Sequence, residues 1–330
     1  MKLSRPYIYL GLALITAAVV WFLERPTEQK TGDVLNRPLF ENLDAKEVSE
    51  ITIEHLLNGV QLKMEEGEWK VSNFKTKMKE SLDAHEKRAA SDELQNKWYA
   101  ADTGTVGMAL DSLLDVDALS LAGDNPQKHG FFETNDVGMH IKLFDKNGKI
   151  LANFFLGKAG PAFLEGYIRK EGENEVYLTN RFLRPNFPAT VDNWRDHKFW
   201  DTAAANITGL QVEEGKKTFS LKKTEGKWPS PEVLQLIEQL SKVTAVGFAE
   251  PETKEMGFDK PTLKMTLSTV ANPYVLTVGR QNASHQYYAR KGNDLQIYLI
   301  SDAIVNAILG GHPEQREGSR EYRDSSLRSE

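Results

Sequence analysis

The residue types that most often perform chemistry are few in this chain, and their spacing forms no catalytic or metal-binding motif. Seven histidines stand at positions 55, 85, 129, 140, 197, 285 and 312, and no two are three or four residues apart, as ligands on one helical face would be. The absence of cysteine excludes disulfides, thiolate metal sites and cysteine nucleophiles. The GxSxG and GxGxxG patterns are also missing. We therefore expect no catalytic residue, no metal, no cofactor and no enzyme activity.

One dipeptide, Gly157-Lys158, has the ending of a phosphate-binding loop. The first glycine that such a loop requires is replaced by Ala152, so the motif is incomplete. Gly157 and Gly279 each stand between two strand-like segments, and a turn is predicted at both positions.

The strongest signal for a contact surface lies in the segment Asp192–Trp200. It combines two tryptophans with five ionisable residues, and Trp and Arg are enriched at binding hot spots. Two arginines at equivalent positions of matching strand-like segments could also bind an anion, although cross-strand ion pairs are their more common use. We predict a partner contact or, in preference, packing between two halves of the chain for these residues: Trp194, Arg195, Asp196, Trp200, Arg169 and Arg290.

The first element that would place these residues is a membrane anchor. Residues 7–23 carry no charge, and as a helix they span roughly 25 Å, near the thickness of a bilayer core. Lys2 and Arg5 precede them, which puts residues 1–6 in the cytoplasm and the bulk of the chain outside. We predict a single-pass anchor in the cytoplasmic (inner) membrane. A cleaved signal peptide is the main alternative, since Thr16-Ala17-Ala18 offers a cleavage site; a buried core helix is the third.

Beyond residue 40 the chain repeats itself. Both copies have a strand, a Glu-Gly turn followed by tryptophan, an amphipathic helix, a Gly-Phe turn and a meander of strands. The turns are Glu66-Gly67 and Glu225-Gly226, then Gly130-Phe131 and Gly257-Phe258. The apolar helix faces are Val106, Ala109, Leu110, Leu113 and Leu114 in the first copy and Val233, Leu236, Ile237 and Leu240 in the second.

These patterns predict an α+β fold built from two duplicated antiparallel sheet-plus-helix units. We expect a tether over 24–40, repeat unit one over 41–200 with a helical insertion at about 72–105, and repeat unit two over 201–310. Residues 311–330 are charged and nearly devoid of apolar side chains, so a disordered tail is predicted. The formal net charge of −6 argues against a nucleic-acid partner.

The assembled pattern resembles the family called domain of unknown function 4340. The resemblance covers about residues 5–310, and its motifs are the anchor, Leu113-Leu114, Leu156-Gly157, Tyr167-Ile168-Arg169, Val176-Tyr177-Leu178, Trp194-Arg195-Asp196 and Gly257-Phe258-Asp259-Lys260-Pro261. The resemblance implies one transmembrane helix followed by repeated extracytoplasmic units. It also implies an accessory role beside ABC-type export or gliding-motility components, with no established catalytic residue.

We therefore expect a single-pass, membrane-anchored extracytoplasmic binding or scaffold protein, an accessory of an ABC-type transport complex. Its expected partners are the bilayer, through residues 7–23, and a membrane protein. One alternative is a solute- or glycan-binding module with a cleft between the halves, lined by Trp194, Trp200 and the two arginines. A second alternative is an envelope hydrolase whose carboxylates only the fold brings together.

Overall fold

Residues 34–86, 97–249, 253–292, 294 and 296–310 are described by a computed structural model. The chain divides between Arg195 and Asp196 into two units, a few residues before the expected boundary at Trp200. The predicted anchor over 7–23 and the predicted tail over 311–330 lie outside the described residues, as does most of the tether. No helix within the described ranges is both long and apolar enough to cross a bilayer.

Unit 1 is built on a ten-stranded antiparallel sheet, sheet 1. Its order is β1-β6-β10-β9-β8-β7-β2-β3-β4-β5. The strands are β1 (Arg37–Pro38), β2 (Glu50–His55), β3 (Asn58–Glu65), β4 (Glu68–Phe74), β5 (Tyr99–Ala100), β6 (Asp117–Gly123), β7 (Met139–Phe144), β8 (Ile150–Ala159), β9 (Gly166–Lys170) and β10 (Val176–Thr179).

Unit 2 is built on a seven-stranded antiparallel sheet, sheet 2, of order β12-β11-β14-β15-β16-β17-β13. The strands are β11 (Ile207–Glu214), β12 (Lys217–Lys222), β13 (Gly247–Ala249), β14 (Leu263–Thr269), β15 (Tyr274–Gln281), β16 (Gln286–Lys291) and β17 (Ile297–Ser301). Its order equals that of seven neighbouring strands of sheet 1, from β3 through β2, β7, β8, β9 and β10 to β6. The predicted α+β class with antiparallel sheets is confirmed.

Short helices accompany both sheets. Unit 1 contains α1 (Lys77–Glu86), α2 (Thr103–Leu114) and α3 (His129–Phe132), and unit 2 contains α4 (Pro231–Leu240) and α5 (Asp302–Gly310). The apolar faces of α2 and α4 lie in the cores of their units, as their 3.6-residue periodicity predicts. Leu114 is the exception, because it is 44% exposed at the end of α2.

The Glu-Gly turns form as predicted. Both residues of each turn have positive φ, 53° and 87° at Glu66-Gly67 and 52° and 75° at Glu225-Gly226. This is the type I′ geometry, whose twist matches that of a two-residue hairpin.

Two turn predictions are wrong. Gly157 and Gly279 lie inside β8 and β15 rather than in turns, and a loop carbonyl passes directly over each of them. A Cβ built on Gly157 would be 2.4 Å from the carbonyl oxygen of Phe132, and one on Gly279 would be 2.1 Å from that of Met256. Glycine is required here because the backbone approaches too closely for any side chain.

The same loops show which residues of the two units are equivalent at the Gly-Phe turn. The left-handed residue that ends each loop helix is Glu133 in unit 1, with φ 55°, and Gly257 in unit 2, with φ 77°. Gly257-Phe258 is therefore equivalent to Glu133-Thr134, and not to Gly130-Phe131. Sequence matching chose Gly130 because glycine is the usual left-handed residue, whereas unit 1 uses a glutamate.

A groove on the outer face of sheet 1

One row of side chains crosses sheet 1 on the face opposite its core. Alternation along each strand sends Ile53, Ile141 and Phe154 inward, where they are fully buried, and sends their neighbours outward. Glu54 pairs with His140, His140 with Phe155, and Phe155 with Arg169. Four neighbouring strands, β2, β7, β8 and β9, therefore each contribute one residue to this row.

The middle of the row is a stack of three planar groups. The His140 ring lies parallel to the Phe155 ring, with centroids 4.2 Å apart, and the guanidinium carbon of Arg169 is 4.5 Å from the same ring centroid. Because β8 lies between β7 and β9, the phenyl ring has the imidazole on one side and the guanidinium on the other. Such stacking holds the planar groups at fixed orientations.

Arg169 fastens two loops to the sheet. Its Nε donates to the Thr134 carbonyl at 2.7 Å, and its Nη1 donates to the Glu173 carbonyl at 3.0 Å. Its Nη2 lies 3.5 Å from a carboxylate oxygen of Glu171. Burial lowers the pKa of Arg169, an effect that Glu171 opposes. Arg169 is only 8% exposed and these donors are engaged. Its role is therefore structural, because it holds the two loops against the sheet.

The His140 imidazole is buried and hydrogen-bonded within the row. Burial lowers the pKa of His140 from 6.5, and the hydrogen bond to Asn153 opposes the shift. Its Nε2 lies 2.6 Å from Oδ1 of Asn153. With Oδ1 of Asn153 as the acceptor, Nε2 of His140 is the donor in this hydrogen bond. The imidazole offers the groove a polar edge, and its lowered pKa favours the uncharged form.

Helix α1 faces this row of side chains and forms the other wall of a groove. The hydroxyl of Thr76 accepts from the Lys79 backbone N–H at 3.2 Å and donates to the Leu56 carbonyl at 2.7 Å. This residue therefore caps the helix and ties its start to the sheet. Met78 and Leu82 on this helix are 39% and 44% exposed, so they present apolar surface.

Between this wall and the outer row lies a groove of about 750 Å³. It is lined by Glu54, Leu56, Thr76, Lys77, Met78, Ser81, Leu82, Asp136, Gly138, His140, Lys142, Phe155 and Glu171. The Lys142 ammonium is 4.0 Å from Glu54 and Glu171 pairs with Arg169, so much of the charge is compensated locally. Within the described residues, no cluster of three His, Asp or Glu side chains could hold a metal ion. The lining suits a partly apolar, hydrogen-bonding ligand.

The predicted contact residues are spread over both units. Trp194 is fully buried in the core of unit 1, where its Nε1 donates to the Pro188 carbonyl at 2.7 Å. The Arg195 guanidinium lies 3.7 Å from the Tyr99 ring centroid and 3.1 Å from Oδ1 of Asp192. These contacts lie inside unit 1 and connect the end of this unit to its core.

The other half of the segment belongs to unit 2. Trp200 is buried there, donates from Nε1 to the Leu240 carbonyl at 2.7 Å, and stacks on Tyr274. Asp196 accepts from the Lys198 backbone N–H at 3.0 Å. The predicted partner or inter-repeat role of the segment stays a prediction.

The segment that contains Trp200 has a counterpart in unit 1. The backbone N–H of Phe199 donates to the Val243 carbonyl at 2.9 Å, and that of Leu39 donates to the Val116 carbonyl at 2.8 Å. Leu39-Phe40 and Phe199-Trp200 therefore make equivalent backbone contacts at the start of their units.

Arg169 and Arg290 occupy equivalent positions, as predicted. Arg169 lies opposite Val176, and Arg290 lies opposite Ile297. The Arg290 guanidinium lies 4.4 Å from the Phe258 ring centroid, whereas Arg169 bonds to the backbone of the equivalent residue, Thr134. Each arginine therefore contacts the loop that precedes the central hairpin of its own unit.

Sequence reasoning missed the groove. The alternation in Met139–Phe144 does place His140 and Lys142 on the face opposite Ile141, which was a usable signal. Helix α1 lies in the Lys- and Glu-rich insertion, however, and nothing in that composition indicates that Met78 and Leu82 face the sheet.

The fold and the groove define a two-unit α+β protein with a polar–apolar groove on the outer face of its first sheet. The chain matches the family described as Domain of unknown function (DUF4340) over residues 95–261, half of its length. It therefore belongs to that family. Neither the curated proteins nor the solved structures include a match to the chain.

Proposed function

We propose that this protein is a binding or scaffold protein that works outside the cytoplasm, anchored by residues 7–23, as an accessory of an ABC-type transport complex. The groove on sheet 1 carries the proposal, because it is the part of unit 1 where exposed apolar groups, hydrogen-bonding groups and compensated charges converge. The equal strand order of the two sheets supports an internal duplication as the origin of the units. The transporter is proposed from the family resemblance.

The topology can be tested with single cysteines, since the natural chain has none. Phe163 is 95% exposed in unit 1, so Phe163→Cys should react with a membrane-impermeant maleimide in intact cells. Ser4→Cys, in the predicted cytoplasmic start, should react only after lysis. Protection of Phe163→Cys before lysis would place unit 1 on the other side of the membrane and overturn the proposal.

The partner contact can be tested by photocrosslinking in intact membranes. Benzoylphenylalanine at Leu82, on the groove wall, should give an adduct with a membrane transport component. The same residue at Leu164, which is 65% exposed and does not line the groove, is the matched control. Recovery of the Leu82 variant alone, or equal adducts from both positions, would remove the groove as the partner site.

A small ligand is a second candidate occupant of the same groove. A volume of about 750 Å³ is typical of small-molecule sites, and His140 supplies a neutral polar edge. A thermal-shift screen of the full chain with envelope glycans should raise the melting temperature. Ser81→Trp, which fills the groove, should lose that shift. The matched control Ser284→Trp, in unit 2, should keep it. No shift from any glycan would remove this candidate.

A further inference from the structure

Strand β12 is an edge of sheet 2 that has no partner strand among the described residues. In sheet 1 the equivalent strand, β3, is paired with β4 from Gly59 to Glu65. Among the described residues of unit 2, the pair Thr224 and Lys227 is the only one that continues the hairpin past β12. Pro229 follows directly and lacks an N–H, and Ser230-Pro231 then begins helix α4.

The free edge presents backbone groups to solvent. The Lys223 backbone N–H donates to the Thr208 carbonyl, so alternate residues of β12 bond to β11 and those between them point away. Thr218, Ser220 and Lys222 therefore direct their N–H and C=O groups outward, and all three are exposed. Phe219 and Leu221 pack against the core of unit 2, so a strand added here would extend a partly apolar face.

The positive charge around this edge favours an acidic partner strand. Lys216, Lys217, Lys222 and Lys223 flank the strand at both ends. If a second copy paired antiparallel through the same edge with Ser220 opposite Ser220, Lys217 of each copy would face Lys223 of the other, which is destabilising. An acidic strand would instead place its carboxylates opposite these lysines.

We propose that β12 binds an extended acidic segment of a partner protein by strand addition, in the position that β4 occupies in unit 1. The partner segment has apolar residues at alternate positions and carboxylates at its ends. This inference rests on the proposed binding role, but it uses a surface in the other unit. A buried indole Nε1 of Trp228, which has no hydrogen-bond acceptor within the described residues, lies just beyond this edge in sequence.

The probe is a fluorescent peptide with a Val-Thr-Val-Ser-Val centre and two glutamates at each end, mixed with the full chain in detergent. Anisotropy should show saturable binding that weakens with salt. A peptide with lysines in place of the glutamates should bind at least about tenfold more weakly. Hydrogen exchange should slow at residues 217–222 when the acidic peptide binds.

Two variants test the mechanism. Ser220→Pro removes one outward N–H without touching the bonds to β11, and should weaken binding by about tenfold, whereas Ser220→Ala should change it less than about twofold. Lys217→Glu combined with Lys222→Glu should exchange the preference between the acidic and basic peptides. The matched control combines Lys242→Glu with Lys254→Glu, both exposed elsewhere in unit 2.

Three outcomes would overturn the inference. Equal binding of acidic and basic peptides, or no protection at 217–222, would show that the lysines only prevent edge pairing. A dimer that Ser220→Pro dissociates would make a second copy the occupant. Crosslinking from Leu82 is independent of these results, so failure at β12 and failure of the proposed function can be told apart.

Discussion

The close approach of a loop to Gly279 makes a sharp prediction for Gly279→Ala. The new Cβ would lie 2.1 Å from the Met256 carbonyl oxygen and 3.2 Å from its carbonyl carbon. The nearest atom is backbone, so no side-chain rotation relieves the contact. The loop must move by about 1 Å or β15 must bend, and either change breaks close packing.

We expect this substitution to lower the free energy of unfolding of unit 2 by about 3 kcal/mol, the upper range for overpacked sites. In a unit of this size that corresponds to a fall in melting temperature of roughly 12 °C. Gly247→Ala is the matched control, because its Cβ would meet only Leu299 Cδ1, at 3.6 Å. Its unfolding free energy should change by less than about 0.5 kcal/mol.

The measurement is urea unfolding of the full chain in detergent, followed by hydrogen exchange in peptides from β14 and β15. These peptides report on unit 2 alone, so an unaffected unit 1 does not mask the result. Gly157→Ala should act likewise in unit 1, where the Phe132 carbonyl oxygen is 2.4 Å from the built Cβ. If Gly279→Ala is as stable as Gly247→Ala, the loop does not cross the strand as described, and the revised equivalence of Glu133 and Gly257 fails with it.

Three further predictions concern unit 1. Asp102→Ala should destabilise α2 by about 1 kcal/mol, because Oδ1 of Asp102 accepts from the Thr105 N–H at 2.7 Å; chemical denaturation against Thr103→Ala, at the neighbouring exposed position, checks it. Gly107→Ala should stabilise the same helix by up to about 1 kcal/mol, since a Cβ there meets no atom within 4 Å; an unchanged or lower melting temperature would contradict this. Burial lowers the pKa of folded His140 below 6.5, so its contribution to stability is present above that pH and is lost as pH falls below it. His140→Gln should flatten the decline in unfolding free energy below pH 6.5, and an unchanged slope would refute the assignment.

The parts of the fold that sequence could predict are those set by local patterns. The 3.6-residue spacing of Val106, Leu110 and Leu113 identified α2, and Glu66-Gly67 identified a hairpin, because both signals act within a few residues. Gly157 was misassigned for the opposite reason. Its requirement for glycine comes from a carbonyl of a distant loop, and no local pattern reports such a contact.

The candidate contact residues show the same limit. Composition marks Trp194 and Trp200 as residues that pack against a large surface, but it does not say which surface. In the structure each tryptophan finds its surface, and an acceptor for its indole N–H, in the unit on its own side of the boundary. A tryptophan buries a large area wherever a matching surface lies, so a hot-spot composition and a core composition look alike in a sequence.

A single difference between the units accounts for both proposed surfaces. In unit 1 the extra residues lie between Trp69 and Asp102, which directly precedes α2. In unit 2 only Pro229 and Ser230 lie between the equivalent Trp228 and α4. Those extra residues supply β4 beyond Trp69, β5 and helix α1. They cover the edge of β3 and build the wall of the groove, whereas β12 has no partner strand within the described part of unit 2. From this we infer that the two units, although alike in strand order, bind different chemistry: unit 1 through a groove on its sheet face, and unit 2 through its sheet edge.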